Sequence, residues 1–136
     1  NLTGVKLEEG AIATEFDHRS YAEELVLCQR YYQQLSGGSA GGLMTMGAMY
    51  STTNAQFTQN LMVEMRAAPS ITTSNFGVST LGGTISTTSA VSISSATAQF
   101  VRVSATLASH SFSANTHVFP RVPSGVSGYI AFDAEL

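Results

Sequence analysis

The most informative pattern along the chain is a change of period. Val5 to Glu9 partly alternates and stops at Gly10, which predicts a short strand, and Ala11 to Phe16 continues as extended chain. Tyr21, Leu25, Cys28, Tyr32 and Leu35 then recur at four, three, four and three residues, which places them on one apolar face of a helix. Ser20 and Glu23 have capping-box spacing: the serine oxygen accepts from an early helical N–H while the glutamate reaches back to the cap N–H. Glu23 and Glu24 suit the positive first turn, and Gly37 and Gly38 supply the stop. The prediction is a helix over residues 20–36.

Beyond a glycine-rich linker at 37–42, strands and turns are predicted to the end of the chain. Alternation runs through Leu43–Tyr50, Phe57–Met65, Ser70–Phe76, Phe100–Leu107 and Tyr129–Leu136, with short Ser/Thr-rich strands at Thr84–Thr88 and Ala90–Ser94. Gly82 and Gly83 read as a hairpin turn. The stretch from Ala108 to Gly128, with Pro120, Pro123 and Gly125, reads as a long irregular loop. Short strands at close spacing argue for a mainly β fold, an antiparallel sandwich or jelly roll preceded by one short helix. The organisation expected is a terminal strand or connector from a preceding module at 1–19, a helix at 20–36, a Gly/Ser linker at 37–42 and a β-sandwich domain at 43–136.

Charge alters this picture. Only 11% of residues are charged, against roughly 25% in ordinary soluble domains. Ser and Thr, about a quarter of the chain, stand in their place. No acidic or basic residue occurs from Ser36 to Val63 or from Ala67 to Val101. Uncharged surface on that scale invites association, and the economical partner is a copy of the same chain.

Several function classes fall away. A net charge of -3 argues against nucleic acid, whose phosphates need clustered Lys and Arg. No apolar run approaches the length of a membrane span, so membrane insertion is not expected. The single Cys28 excludes an internal disulfide framework and a multi-cysteine metal site. The chain opens at Asn1 without a methionine and is read as a fragment or a processed product.

Three segments carry a family resemblance. They are Lys6-Leu7-Glu8-Glu9-Gly10 leading through Ala13-Thr14-Glu15-Phe16-Asp17-His18-Arg19-Ser20 to Leu27-Cys28-Gln29-Arg30-Tyr31-Tyr32, then Met65-Arg66-Ala67-Ala68-Pro69, and finally Phe132-Asp133-Ala134-Glu135-Leu136. In order and spacing they resemble the C-terminal region of phage tail fibres and tailspikes. The family pattern commonly has Glu where Asp17 stands and a small residue where Val26 stands. The resemblance implies a homotrimer located in the virion tail and acting outside the cell. It implies binding to a host-surface polysaccharide during adsorption, with other virion proteins as neighbours. Its motifs are architectural and carry no catalytic residues.

The chemistry of the residues agrees with binding and not with catalysis. No nucleophile motif, phosphate-binding loop or zinc signature is present, and neither a cofactor nor a metal is called for. A glycosidase needs two positioned carboxylates. Asp133 and Glu135 share a strand face and read as a solvated or interface edge, and Glu64 beside Arg66 reads as a same-face ion pair on a strand. His110 and His117 could converge on a three-fold axis to hold a metal, but the reading adopted is two solvated loop histidines. Sugar binding needs aromatic faces and planar polar groups. The candidates are His110, Phe112, Asn115, His117, Arg121 and Tyr129, with Tyr50 and Asn54 as lesser ones, while Phe112 and Phe119 could equally pin the loop to its core. Tyr21, Leu25, Cys28, Tyr32 and Leu35 are assigned to helix and trimer packing. Two other roles stay open: a purely structural trimerisation and folding cap, and an accessory domain of a polysaccharide-degrading tailspike.

Overall fold

The alternation at Phe100–Leu107 is realised as an eight-residue strand whose Val101, Val103, Ala105 and Leu107 point into the core. The computed structural model describes residues 9–12, 14, 19–37, 42–81, 83, 85–109 and 112–135. Its elements are α1 (Tyr21–Gln29), β1 (Tyr32–Gly37), β2 (Gly47–Met49), β3 (Asn54–Asn60), β4 (Ser70–Ser74), β5 (Gly77–Ser79), β6 (Ile85–Ala96), β7 (Phe100–Leu107), β8 (His117–Arg121) and β9 (Gly128–Asp133). The fold is mainly β with one short helix, and every named strand pairing is antiparallel.

Six strands close a barrel in the order β2-β3-β7-β6-β5-β8, and β1-β9-β4 form a three-stranded sheet beside it. The expected mainly β, antiparallel fold with one short helix is present, and its strands form a closed barrel in place of the expected sandwich. One core serves both parts. Phe57 of β3, Val103 of β7, Val118 of β8 and Phe132 of β9 belong to the same buried cluster. Phe57 meets Phe76 edge to face, with centroids 6.2 Å apart. Each such aromatic contributes about 1.5–3 kcal/mol through burial.

Three sequence expectations are corrected. The first is the helix, which ends at Gln29 and not near residue 36. Its capping box is present as predicted, with Ser20 Oγ accepting from Glu23 N–H and Glu23 Oε2 accepting from Ser20 N–H at 2.8 Å. At Arg30 the chain turns, because Tyr32–Gly37 pairs with Asp133–Gly128 along six positions. That ladder outweighs the 3.6-residue pattern, and tyrosine fits a pleated surface well. Tyr32 and Leu35 therefore leave the helix: Tyr32 faces outward and Leu35 packs toward the core. Tyr21, Leu25 and Cys28 remain on α1, where no residue is buried. The β fold thus begins at Tyr32, ahead of the boundary expected at 43. Of the expected linker, 38–41 lies outside the described residues, as do most of the 1–19 connector and its predicted strand.

The second correction concerns the region read as a loop from Ala108 to Gly128. It contains β8, which closes the barrel by pairing Val118 with Gly47 on one side and Pro120 with Val78 on the other. Pro120 has no N–H to donate, which disguises the strand. Its carbonyl still accepts from Leu43 N–H at 3.1 Å.

Third, the two short strands expected at 84–94 are one strand, β6, bent by irregularities between Thr88 and Ala90 and between Ile93 and Ser95. Each bulge adds an unpaired residue and breaks the alternation that a single strand would show.

Candidate functional site

A concave surface that collects predicted binding residues lies on β8. Val118 and Pro120 face the core, so His117, Phe119 and Arg121 face out of the barrel on alternate positions. His117 is exposed, while Phe119 and Arg121 are half-buried. One hollow of about 250 Å3 is lined by Gly42, Ser79, Leu81 and Arg121, and a second of about 480 Å3 by Met46, Thr116 and His117. Thr80, Leu81 and Phe119 line both. The two hollows are therefore one groove running along the outer face of β8, with Phe119 at its centre.

Local structure explains each wall. The chain at 42–43 lies beside β8 through the Gly42–Arg121 bridge and the Leu43-to-Pro120 hydrogen bond. Leu81, 87% exposed, stands where β5 turns toward β6. Ser79 sits opposite Phe119 in the ladder. Its Oγ is the one buried side-chain polar atom among the described residues that lacks a hydrogen-bond partner. Leaving such a group unmatched costs about 1–3 kcal/mol. The groove thus combines an aromatic face, threonine hydroxyls, an imidazole and a guanidinium. No carboxylate is among the described residues that line it.

No protein-family model, curated protein or solved structure matches the chain.

The remaining predicted residues are dispersed. His110 lies outside the described residues. Phe112 packs against the core and donates its N–H to the Thr52 carbonyl at 3.0 Å. Asn115 is exposed in the turn before β8, at φ 64°, with its N–H on the Met49 carbonyl at 2.9 Å. It shapes the entry to β8, and a left-handed position suits asparagine. Tyr129 is on β9, opposite Ser36 and Ser74, on the three-stranded sheet and not in the groove. Tyr50 is exposed, and Asn54 Oδ1 accepts from Thr106 Oγ1 at 2.9 Å. Ser79, Thr80 and Leu81 escaped sequence reading, because only the β5–β8 pairing brings them to the candidates.

The carboxylates behave differently from expectation. Glu64 and Arg66 follow β3 and form no strand pair: Arg66 lies 5.3 Å from the Tyr31 ring centroid, and Glu64 Oε2 accepts from Gln99 at 3.4 Å. Asp133 closes β9, and its Oδ1 accepts from Glu135 N–H at 2.8 Å.

Parts of all three segments behind the family resemblance meet at one junction. Arg66 N–H donates to the Arg30 carbonyl at 2.9 Å, and Ala134 N–H donates to the Tyr31 carbonyl at 2.8 Å. The buried Gln33 side chain joins this junction from β1, accepting from Met62 N–H at 2.9 Å and donating to the Gln29 carbonyl at 3.1 Å. These residues fix the helix to the β fold.

Proposed function

We propose that this chain is the receptor-binding domain of a phage tail fibre or tailspike, and that it recognises host-surface polysaccharide in the groove along β8. The observation that carries the binding site is the outward alternation His117, Phe119, Arg121 along a groove that Thr80 and Thr116 also line. A sugar offers C–H faces to a phenyl ring and hydroxyls to threonine, imidazole and guanidinium groups. The phage assignment rests on the resemblance, and it is supported by the meeting of the resembling segments at one structural junction.

The working form in this reading is a homotrimer, with the barrel and three-stranded sheet as its jelly-roll-like tip, carried on the virion tail and joined there to other tail proteins. An isolated helix below roughly 12–15 residues is marginal in water. Yet α1 is nine residues long and leaves Tyr21, Leu25, Val26 and Leu27 exposed in the single chain. Packing against copies of itself supplies the missing contacts. The domain binds without catalysing.

The experiment is host-cell binding and competition with phage adsorption, comparing the wild-type domain with Phe119→Ala and Arg121→Ala. Both variants are expected to lose cell binding while keeping the wild-type circular dichroism spectrum. A wild-type domain that neither binds host cells nor competes with phage would overturn the receptor-binding reading. That result would favour the structural cap, a role consistent with the helix junction.

A further inference from the structure

A separate hollow lies across the barrel from the β8 groove, two strands away. In the ladder, Arg121 of β8 lies opposite Gly77 of β5, and Gly77 lies opposite Thr87 of β6. Thr87 lines that hollow, of about 340 Å3, with Thr73, Asn75, Phe76, Ser89 and Pro123 among its walls. Two adjacent strand spacings separate Arg121 from Thr87, about 10 Å, and the outward positions from His117 to Arg121 extend about 13 Å.

This hollow is preformed by three local features. The irregularity between Thr88 and Ala90 bends β6 and sets Ser89 outside the ladder. Thr88 Oγ1 donates to the Phe76 carbonyl at 2.9 Å, tying the bend to the segment after β4. Asn75, in the left-handed region at φ 50°, donates from Nδ2 to the Ser127 carbonyl at 2.7 Å. The resulting lining is chiefly hydroxyl and amide, with Pro123 and Val91 as apolar elements, and it is more polar than the β8 groove.

The position between the two hollows carries no side chain of its own. A Cβ on Gly77 would stand 2.7 Å from Ile85 Cγ2 and 3.3 Å from the Arg121 carbonyl oxygen. The Ile85 methyl takes that space, so Gly77 and Ile85, and not a charged side chain, stand between the two hollows.

We infer that the β8 groove and the Thr87–Asn75 hollow form one bent track that holds several consecutive residues of a linear polysaccharide, in place of a pocket for a single terminal sugar. This rests on the glycan-binding reading and specifies its ligand as an internal chain segment. Joining weak subsites on one polymer raises affinity through effective concentration, without a strong contact at any one of them.

The test begins with an array of purified bacterial capsular polysaccharides and O-antigen chains, probed with the whole domain. Binding to none of them would overturn the glycan-binding reading and this inference with it. A retained polysaccharide is then cut to a size-fractionated ladder from monosaccharide to octasaccharide, and affinities are measured by calorimetry. The track requires affinity to rise by about tenfold or more between the shortest and longest fragments, the equivalent of about 1.4 kcal/mol. Equal affinity along the ladder would overturn the track and leave glycan binding intact. Ala90→Trp, at an exposed position lining the far hollow, is expected to erase the gain of the long fragments without changing the short ones. Long fragments that bind Ala90→Trp as tightly as wild type would place the far hollow outside the site and overturn the inference.

Discussion

The Gln33 side chain donates from Nε2 to the Val63 carbonyl at 2.6 Å, across thirty residues of sequence. Its Oε1 accepts from Met62 N–H, and the Gln29 carbonyl is the second acceptor for Nε2. One buried amide therefore satisfies three backbone groups from two segments. Replacing it with leucine keeps the approximate volume but strips all three partners. Gln33→Leu is expected to lower unfolding free energy by about 2–4 kcal/mol, given about 1–3 kcal/mol for each buried group left unpaired. Urea denaturation followed by circular dichroism measures this, and a loss below about 1 kcal/mol would show that the backbone groups find other partners.

Arg66 and Tyr31 are both solvent-accessible, so their stacking is a modest term. A double-mutant cycle with Arg66→Ala and Tyr31→Ala is expected to give a coupling energy of about 0.5–1 kcal/mol. Additive single effects would assign the Arg66 position wholly to its backbone bond with Arg30.

The Glu23 carboxyl is held below its ordinary value of 4.5, first by the Ser20 backbone N–H, then by the Ser20 hydroxyl, with Arg19 nearby. A depressed carboxylate stabilises the folded form above the unfolded pKa, and that contribution is lost as pH falls through the folded value. The helical signal should therefore be insensitive to this group at neutral pH and weaken in acid below pH 4.5. Glu23→Gln keeps a capping-box side chain and should flatten that part of the acid titration, read as ellipticity against pH.

The exposed helix gives the trimer a direct test. Sedimentation equilibrium of the wild-type domain at micromolar concentration should report three times the 14.3 kDa chain mass. Leu25→Asp should shift the mass to that of one chain while leaving the β spectrum unchanged, since Leu25 is 41% exposed and no residue of α1 is buried. A wild-type monomer would remove the assembly from the proposal.

The legible parts of this fold were those whose signal is local. The Ser20–Glu23 box needs only its own turn, and Phe100–Leu107 alternates because one of its faces meets the core throughout. Tyr32 and Leu35 misled because their spacing satisfies a helix, while their state is decided by pairing with Asp133 and Ile130 far along the chain. Pro120 hid β8 for the opposite reason: a locally unfavourable residue is tolerated where its carbonyl and its two neighbours make the ladder. His117 and Arg121 could be named from their chemistry alone. Ser79 could not, because nothing in Gly77-Val78-Ser79 reports that its hydroxyl is closed off beside Phe119.

The β1–β9 ladder joins segments from opposite ends of the described chain, and all six barrel strands lie between them in sequence. Closing so long a loop is entropically slower than pairing β6 with β7 across a short turn. Topology therefore favours an order in which the barrel hairpins form first and the helix is anchored last. In the proposed trimer, each chain would present its helix to the others only after its own barrel had matured, a sequence of events that would keep half-folded chains from joining one another prematurely.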